Sequence, residues 1–399
     1  MKILFKLLEY ILDIFILAPH PTTIGNTAEE IFFGIIAARK NGKKLLLIKP
    51  YQLPIISLPI ANKYLLEIDS KFLLKNQIIK TIANIALTVN FTLFRIITRY
   101  INLNEKYTEP KYGRENIWKI NNQKEIDTKS YWKDIYTIDN DIVLNLNLIK
   151  KGDELIKKLG INDNKWFVCL HVRDSGFWKD KGLDEYRNAN IQNYYKVIEK
   201  IHELGGITIR MGDKSMVKLP KLRGLIDYPF SNEKSELLDL YLIKKCKLYI
   251  GMQSGILDVA ILFSKPIIIT NMVSWMFQFP PKKGDLGILK HLYDNKGNKI
   301  SVEERLKLGW EAGGHKINTE KYKLEENSSD EILEVVEQFF ENKQTNISLN
   351  NKFEKMRRIK FKEIIENESK INRVEKLRLI SRLYSVSGSL GNAYLKNNL

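Results

Sequence analysis

KLYIGMQSGILDVAILFSKPIIITN, residues 247–271, decides the fold. A short apolar run (Leu248 to Ile250) leads into a Gly-bounded loop (Gly251-Met252-Gln253-Ser254-Gly255). An apolar helix-like run (Ile256 to Phe263), a Lys265-Pro266 turn and a second β-branched run (Ile267 to Thr270) follow. Strand, loop, helix and strand in so few residues is the pattern of a parallel sheet with a crossover helix. Glycine lets the backbone approach a ligand, and a helix start offers N–H groups and the positive end of the dipole. A phosphate fits such a loop, with the Ser254 hydroxyl as a further donor. An ordinary turn with Ser254 as helix N-cap uses the same residues.

Upstream, Trp166 to Val172 (WFVCLHV) is an apolar strand that runs into Arg173-Asp174-Ser175-Gly176. Charges at the carboxyl end of a buried parallel strand need water, a partner or a ligand, which makes His171, Arg173 and Asp174 site candidates. Arg173 offers a planar fork to a phosphate or carboxylate, or an ion pair to Asp174 or Asp180. Tyr186-Arg187-Asn188-Ala189-Asn190 precedes a helix with Ile191, Tyr194, Ile198 and Ile201 on one stripe, ended by Gly205-Gly206. Arg187 and Asn188 are caps or ligand contacts at its start. GITIRM, residues 206–211, repeats the arrangement: a strand, Arg210 near its carboxyl end, then Gly212-Asp213-Lys214-Ser215. Two arginines and the Ser254-Gly255 loop thus converge on one rim of a parallel sheet.

Toward the N terminus, residues 14–18 read as a strand, Pro19 to Thr27 as a loop, Ala28 to Lys40 as a helix stopped by Asn41-Gly42, and Lys44 to Ile48 as a second strand. Gly25-Asn26 then lies in a loop at the carboxyl end of the first strand, facing the cleft of an α/β domain. Its lone glycine excludes a dinucleotide fingerprint. Asp139-Asn140-Asp141 matches the loose D-x-D pattern used for metal-bound nucleotide sugars. Residues 219–231 read as an irregular connection. The 270–287 loop carries Trp275, Phe277 and Phe279, which cover a base or sugar or pack on a neighbouring domain. Ser328-x-x-Glu331 is a capping box. Residues 342–399 are polar and basic with partly helical spacing, expected as a tail on the surface in reach of anionic lipid. The expected domains are 1–155, 156–341 and the tail 342–399.

The 399 residues suffice for two or three domains, and 44 % hydrophobic with 28 % charged content is globular. A net charge of +17 points to an anionic partner. Cys169 and Cys246 lie in apolar runs and read as buried thiols, in keeping with a reducing cytoplasm. The five histidines lack metal-ligand spacing, so no metal is expected. Met1 to Leu17 is apolar but carries Lys2, Lys6, Glu9 and Asp13, too charged to span a bilayer. Ile78 to Ile97 is a poor span and a fair buried or interfacial helix. The chain is expected to be soluble or peripheral on the inner membrane face.

The order strand–HVRD, YRNANI–helix, strand–RMGD, then DY, SELLDL, CKLYIG, SG and KPIIITN resembles a group of bacterial glycosyltransferases with a GT-B-like fold. That resemblance covers roughly residues 160–275; more distantly, the C-terminal half is similar to the donor domain of heptosyltransferases and of fucosyltransferases with an H-x-R motif. That resemblance implies an α/β fold of two Rossmann-like domains facing a cleft, with donor binding by the second and acceptor binding by the first. It implies a nucleotide-sugar donor, a glycan, lipid-linked or protein acceptor, no metal and no cofactor. By the same resemblance Arg173 contacts the donor diphosphate, Ser254-Gly255 presents backbone N–H groups to it, and Arg210 and Asp213 lie at the nucleotide or sugar. His171, Arg187, Asn188 and Gly212 complete the expected donor site, and Gly25 and Asn26 the cleft loop. The base that takes the acceptor proton is His20, Glu29 or Asp174. Asp174 stands where many fucosyltransferases carry a second basic residue, so a fucose donor is not implied.

Alternatives on the same fold are a nucleotide-sugar epimerase and a polysaccharide pyruvyl transferase. A nucleic-acid-binding protein would suit the charge, but the lysines are dispersed and no helix-turn-helix, RNP or zinc pattern occurs.

Overall fold

The structure, a computed structural model, describes residues 1–51, 60–100, 112–122, 142–162, 164–174, 176, 185–314, 317–367 and 371–399. The chain divides into two compact units, one of Met1–Thr128 with Asp139–Ile149, the other of Lys129–Ile138 with Lys150–Leu399.

The first unit opens with α1 (Lys2–Leu12), β1 (Ile14–Leu17), α2 (Ile24–Lys40) and β2 (Lys44–Leu47). β1 and β2 pair in parallel from Ile14–Lys44 to Leu17–Leu47. The connection is the expected crossover helix, whose Ala28, Ile31, Phe32, Ile35 and Ile36 are buried. β3 (Ile68–Asp69) pairs antiparallel with β4 (Val143–Leu144), and α3 (Gln77–Tyr100) and α4 (Arg114–Asn122) lie between them in the chain. Among the described residues this unit carries one βαβ element and two two-stranded sheets. Among those residues the parallel sheet expected of a Rossmann-like domain over 1–155 is represented by β1 and β2. One difference concerns Gly25 and Asn26. They are not in a loop but in the first turn of α2, because Thr27 N bonds Thr23 O at 3.0 Å and the Thr27 hydroxyl bonds the same carbonyl at 2.8 Å. The Asp139-Asn140-Asp141 triplet lies outside the described residues.

Helix α5 (Leu146–Lys158) carries the chain into the second unit. That unit contains β5 (Phe167–His171), α6 (Tyr195–Glu203), β6 (Ile207–Arg210), β7 (Leu225–Asp227), α7 (Glu236–Lys245), β8 (Leu248–Gly251), α8 (Gly255–Leu262), β9 (Ile267–Met272) and β10 (Leu286–Leu289). A three-stranded antiparallel sheet follows, made of β11 (His291–Asp294), β12 (Lys299–Ile300) and β13 (Tyr322–Glu325) in the order β12-β11-β13. The helices α9 (Val302–Lys307) and α10 (Trp310–Gly313) interrupt it in sequence. The chain ends with α11 (Ser329–Phe340), α12 (Ile347–Asn367), α13 (Arg373–Ser385), β14 (Ser389–Leu390) and α14 (Asn392–Asn398).

The main sheet is seven-stranded in the order β14-β10-β9-β8-β5-β6-β7, and every pair in it is parallel. Phe167–Leu170 of β5, Leu248–Ile250 of β8 and Ile267–Ile269 of β9 are apolar and buried, as a sheet covered on both faces requires. Read from β7 to β10, the order is that of a doubly wound fold, with the reversal between β5 and β8. The capping box at Ser328 and Glu331 is formed in both directions. β7, in the segment expected to be irregular, is a short half-buried edge strand.

Residues 342–399 are not a surface tail. β14 extends the main sheet beyond β10, with Leu286 opposite Ser389 and Gly287 opposite Leu390. Phe353, Arg357, Phe361, Leu390 and Leu395 are all at most 1 % exposed. The aromatics of the 270–287 loop meet these residues: Phe279 stacks on Phe353 with ring centroids 5.9 Å apart, and Trp275 packs edge-on to Phe361 at 6.3 Å. They serve the core of this unit rather than a base or sugar. Both cysteines are free and buried, as expected.

Candidate functional site

In a doubly wound sheet, ligands bind outside the carboxyl ends of the strands where the order reverses. Here that point is the pair β5 and β8, whose last residues, His171 and Gly251, face each other in register. Two loops leave from it, beginning with residues 172–174 after β5 and with residues 252–254 before α8. These are the two stretches that carry the HVRD and SG motifs.

The Ser254 backbone is extended and forms the N-cap of α8, but its side chain does not cap the helix. The hydroxyl instead donates to Met252 O at 3.1 Å and lies 3.3 Å from His171 Nδ1. Burial, then the Arg173 and Arg210 charges, push the imidazole down to about 4, against a smaller pull from Asp213. His171 is therefore neutral near pH 7. The N-terminus of α8 is held from both sides. Gln253 takes the amides of Val273 and Ser274 at 2.9 Å and gives its own amide to Ser274 O at 2.6 Å and Phe277 O at 2.5 Å. Gln278 donates to Ser254 O at 2.9 Å and to Asp258 Oδ2 at 2.8 Å.

Three cations gather at these loops. Arg173 is buried, and its Nε donates to Asn188 Oδ1 at 2.9 Å. Arg187 Nη2 donates to Gln253 O at 3.1 Å, tying the segment before α6 to the loop before α8. Lys290, directly after β10, is 3 % exposed and donates to Asn188 O at 2.5 Å. Burial pushes its ammonium down to about 8 against a smaller pull from Glu326. Asn188 thus receives Arg173 on its side chain and Lys290 on its backbone. Neither Lys290 nor Gln253 was expected from the sequence. Lys290 is a charge directly following an apolar strand, the same signal that marked Arg173.

Arg210, Gly212, Asp213 and Asp174 form a neighbouring, structural cluster. Arg210 is 1 % exposed. Its Nη1 donates to Val217 O at 2.7 Å and to Asp227 Oδ1 at 3.0 Å, and its Nη2 lies 3.8 Å from Asp174 Oδ2. Its guanidinium is directed at protein carboxylates. Asp174 also accepts from Gly176 N at 3.1 Å and Val217 N at 3.3 Å, which ties the loop after β5 to the loop after β6. Asp213 accepts from the backbone and hydroxyl of Ser215 at 2.8 and 2.5 Å. Gly212 has φ +144°, and a Cβ there would run into the Met216 sulfur.

The remaining candidates belong to the first unit. His20 N donates to Glu30 Oε2 at 2.8 Å, and its Nδ1 lies 3.3 Å from the hydroxyls of both Thr22 and Thr23. Glu29 is 5 % exposed. The adjacent Glu30 accepts from Arg114 Nε at 2.5 Å and from His20 N. Among the described residues, no three His, Cys, Asp or Glu side chains are grouped as metal ligands.

No protein-family model matches the chain, and no curated protein matches it. Among solved structures it is similar to a glycosyl transferase family 9 protein from Veillonella parvula DSM 2008, at 12 % sequence identity over 63 % of this chain and 79 % of that one, with a TM-score of 0.33. A likeness of that size carries no argument about chemistry, which rests on the residues at the β5–β8 switch point.

Proposed function

We propose that the chain is a metal-independent glycosyltransferase. It moves a sugar from a nucleotide-sugar donor to a glycan, lipid-linked or protein acceptor, in the cytoplasm and in the service of surface polysaccharide synthesis. The observation that carries this reading is the meeting of Arg173 and Lys290 at Asn188, next to Arg187, which is tied to Gln253 just before the Ser254 N-terminus of α8, at the strand-order reversal. When the acceptor hydroxyl bonds to the anomeric carbon, the sugar–phosphate bond breaks and the nucleoside diphosphate leaves with the electron pair. Fixed cations and a helix N-terminus stabilise the charge that builds on that phosphate. The acceptor proton passes to a base, for which Asp174, His20 and Glu29 are the candidates. Neutral His171 and the Ser254 hydroxyl orient the sugar or the phosphate without adding net charge.

The test is a thermal-shift series with UDP, GDP, CMP and ADP. One nucleotide should raise the melting temperature. Arg187→Ala, at a half-buried position, and Arg173→Ala should each weaken that ligand by about ten- to a hundredfold. A folded protein that none of the four stabilises, or unchanged affinity in both variants, rejects the assignment.

A further inference from the structure

We infer that the outward faces of α1 and α3 are a lipid-docking surface that seats the first unit on a bilayer with anionic headgroups. This inference is independent of the chemistry proposed for the second unit.

Helix α3 is apolar on two opposite faces. Ala83, Leu87 and Phe91 point inward, and the first two join a buried cluster with Ile16, Leu46 and Ile48 of the βαβ element. On the far side, Ile78, Ile82, Ile85, Val89, Leu93 and Ile96 follow each other at three or four residues and form one stripe. All six are between 45 % and 73 % exposed. An exposed apolar stripe on a helix whose opposite face is already packed in a core marks an interaction or membrane surface. Helix α1 is built the same way. Phe5 is buried in the same cluster, while Ile3, Leu7, Tyr10 and Ile11 are 84 %, 51 %, 86 % and 63 % exposed.

The charges name the occupant. Lys2 and Lys6 of α1 are exposed and flank its apolar stripe. Glu9 is turned inward, accepting from Ile16 N at 3.0 Å and from the Tyr112 hydroxyl at 2.8 Å. Asp13, after α1, pairs with Lys43 at 2.5 Å. The outer α1 face is therefore aliphatic with a cationic border, the make-up of an interfacial helix on anionic lipid. The α3 stripe contains no side chain that can hydrogen-bond, and neither stripe has the arginine anchors typical of protein interfaces.

The segment Gln77–Ile97 is long and apolar enough to cross a membrane, but its inner face ties it down. Asn84 Oδ1 accepts from Lys49 N at 2.9 Å and Thr88 Oγ1 from Tyr51 N at 2.8 Å, both just after β2. A spanning α3 would break these bonds and open the cluster around Leu87. The helix accordingly lies along the surface.

The test is co-sedimentation of the full chain with phosphatidylcholine vesicles, pure or with about a third phosphatidylglycerol. The wild type should pellet with the anionic vesicles and be released by an alkaline carbonate wash. Leu7→Glu and Val89→Glu, singly and together, should melt like the wild type, since both positions are exposed. Each should lower partitioning by about tenfold or more. Val217→Glu, at a residue 73 % exposed in the second unit, and Arg173→Ala should leave partitioning unchanged. The inference is overturned if the wild type ignores both vesicles or if folded Glu variants pellet like the wild type. Resistance to carbonate would overturn it in favour of a spanning helix. A lipid-free dimer that the Glu variants dissociate would overturn it in favour of a second copy.

Discussion

His171 shows how the fold sets the protonation of one side chain. Its neutral form is held by burial and by two nearby guanidinium groups. Because the folded value, about 4, lies below the ordinary value of 6.5, the unfolded chain binds more protons between the two. Stability must therefore fall as pH is lowered through that window, and be intact above it. Urea midpoints from pH 7 to pH 4 should show this loss, and His171→Gln should flatten it; a profile identical to the wild type removes His171 as its source. Arg210 is a different case. It is buried against Asp227, Asp174 and Val217 O, and its Nε has no hydrogen-bond partner among the described residues. Arg210→Met leaves Asp227 uncompensated and should cost about 2–4 kcal/mol by urea unfolding. Adding Asp227→Asn should recover part of that loss, and equal single- and double-variant midpoints would show that the pair does not act as a unit. The sequence marked both arginines by one signal, a charge after an apolar strand. It could not separate them, because Arg210's partners come from β7 and the 215–217 turn, whose placement is a long-range fact. Lys290 escaped notice for the same reason, since its meeting with Asn188 depends on where β10 lies in the sheet.

At the scale of elements, the readable parts were those with strong local patterns. β5, β6, β8, β9 and α8 lie where apolar runs and glycine boundaries placed them, and the capping box at Ser328 is present. The start of α2 was misread because Gly25 and Asn26 are poor helix formers; the Thr27-to-Thr23 bonds outweigh that preference. The C-terminal segment was misread because its charges are interspersed with its apolar residues, whose partners lie in distant parts of the chain. Those apolar residues are placed to matter: β14 closes one edge of the main sheet, and Leu390 and Leu395 sit in the core. Leu390→Ala should therefore cost about 2–4 kcal/mol, measured as a shift in the urea midpoint. A substitution in a solvated tail would stay within about 0.5 kcal/mol, and a shift that small would return residues 386–399 to the surface.

At the scale of the whole molecule, a chain of charge +17 carries a site whose own cations are few and buried or half-buried. The two contributions to anion binding differ in their response to salt. Exposed lysines act through a field that is screened over about 10 Å at 0.1 M salt, whereas Arg173, 8 % exposed and fixed on Asn188, is much less screened. Inorganic pyrophosphate separates them without knowledge of the nucleotide. Its affinity for the wild type should fall as sodium chloride is raised from about 0.05 to about 0.5 M, mostly through a slower association rate. The ratio of wild-type to Arg173→Ala affinity should meanwhile stay constant within about twofold, because the variant loses a contact inside the site and keeps the same outer field. Calorimetric titration at each salt concentration gives both quantities. A ratio that shrinks to one at high salt would place Arg173 among the diffuse surface charges and remove it from the proposed phosphate site at the β5–β8 switch point.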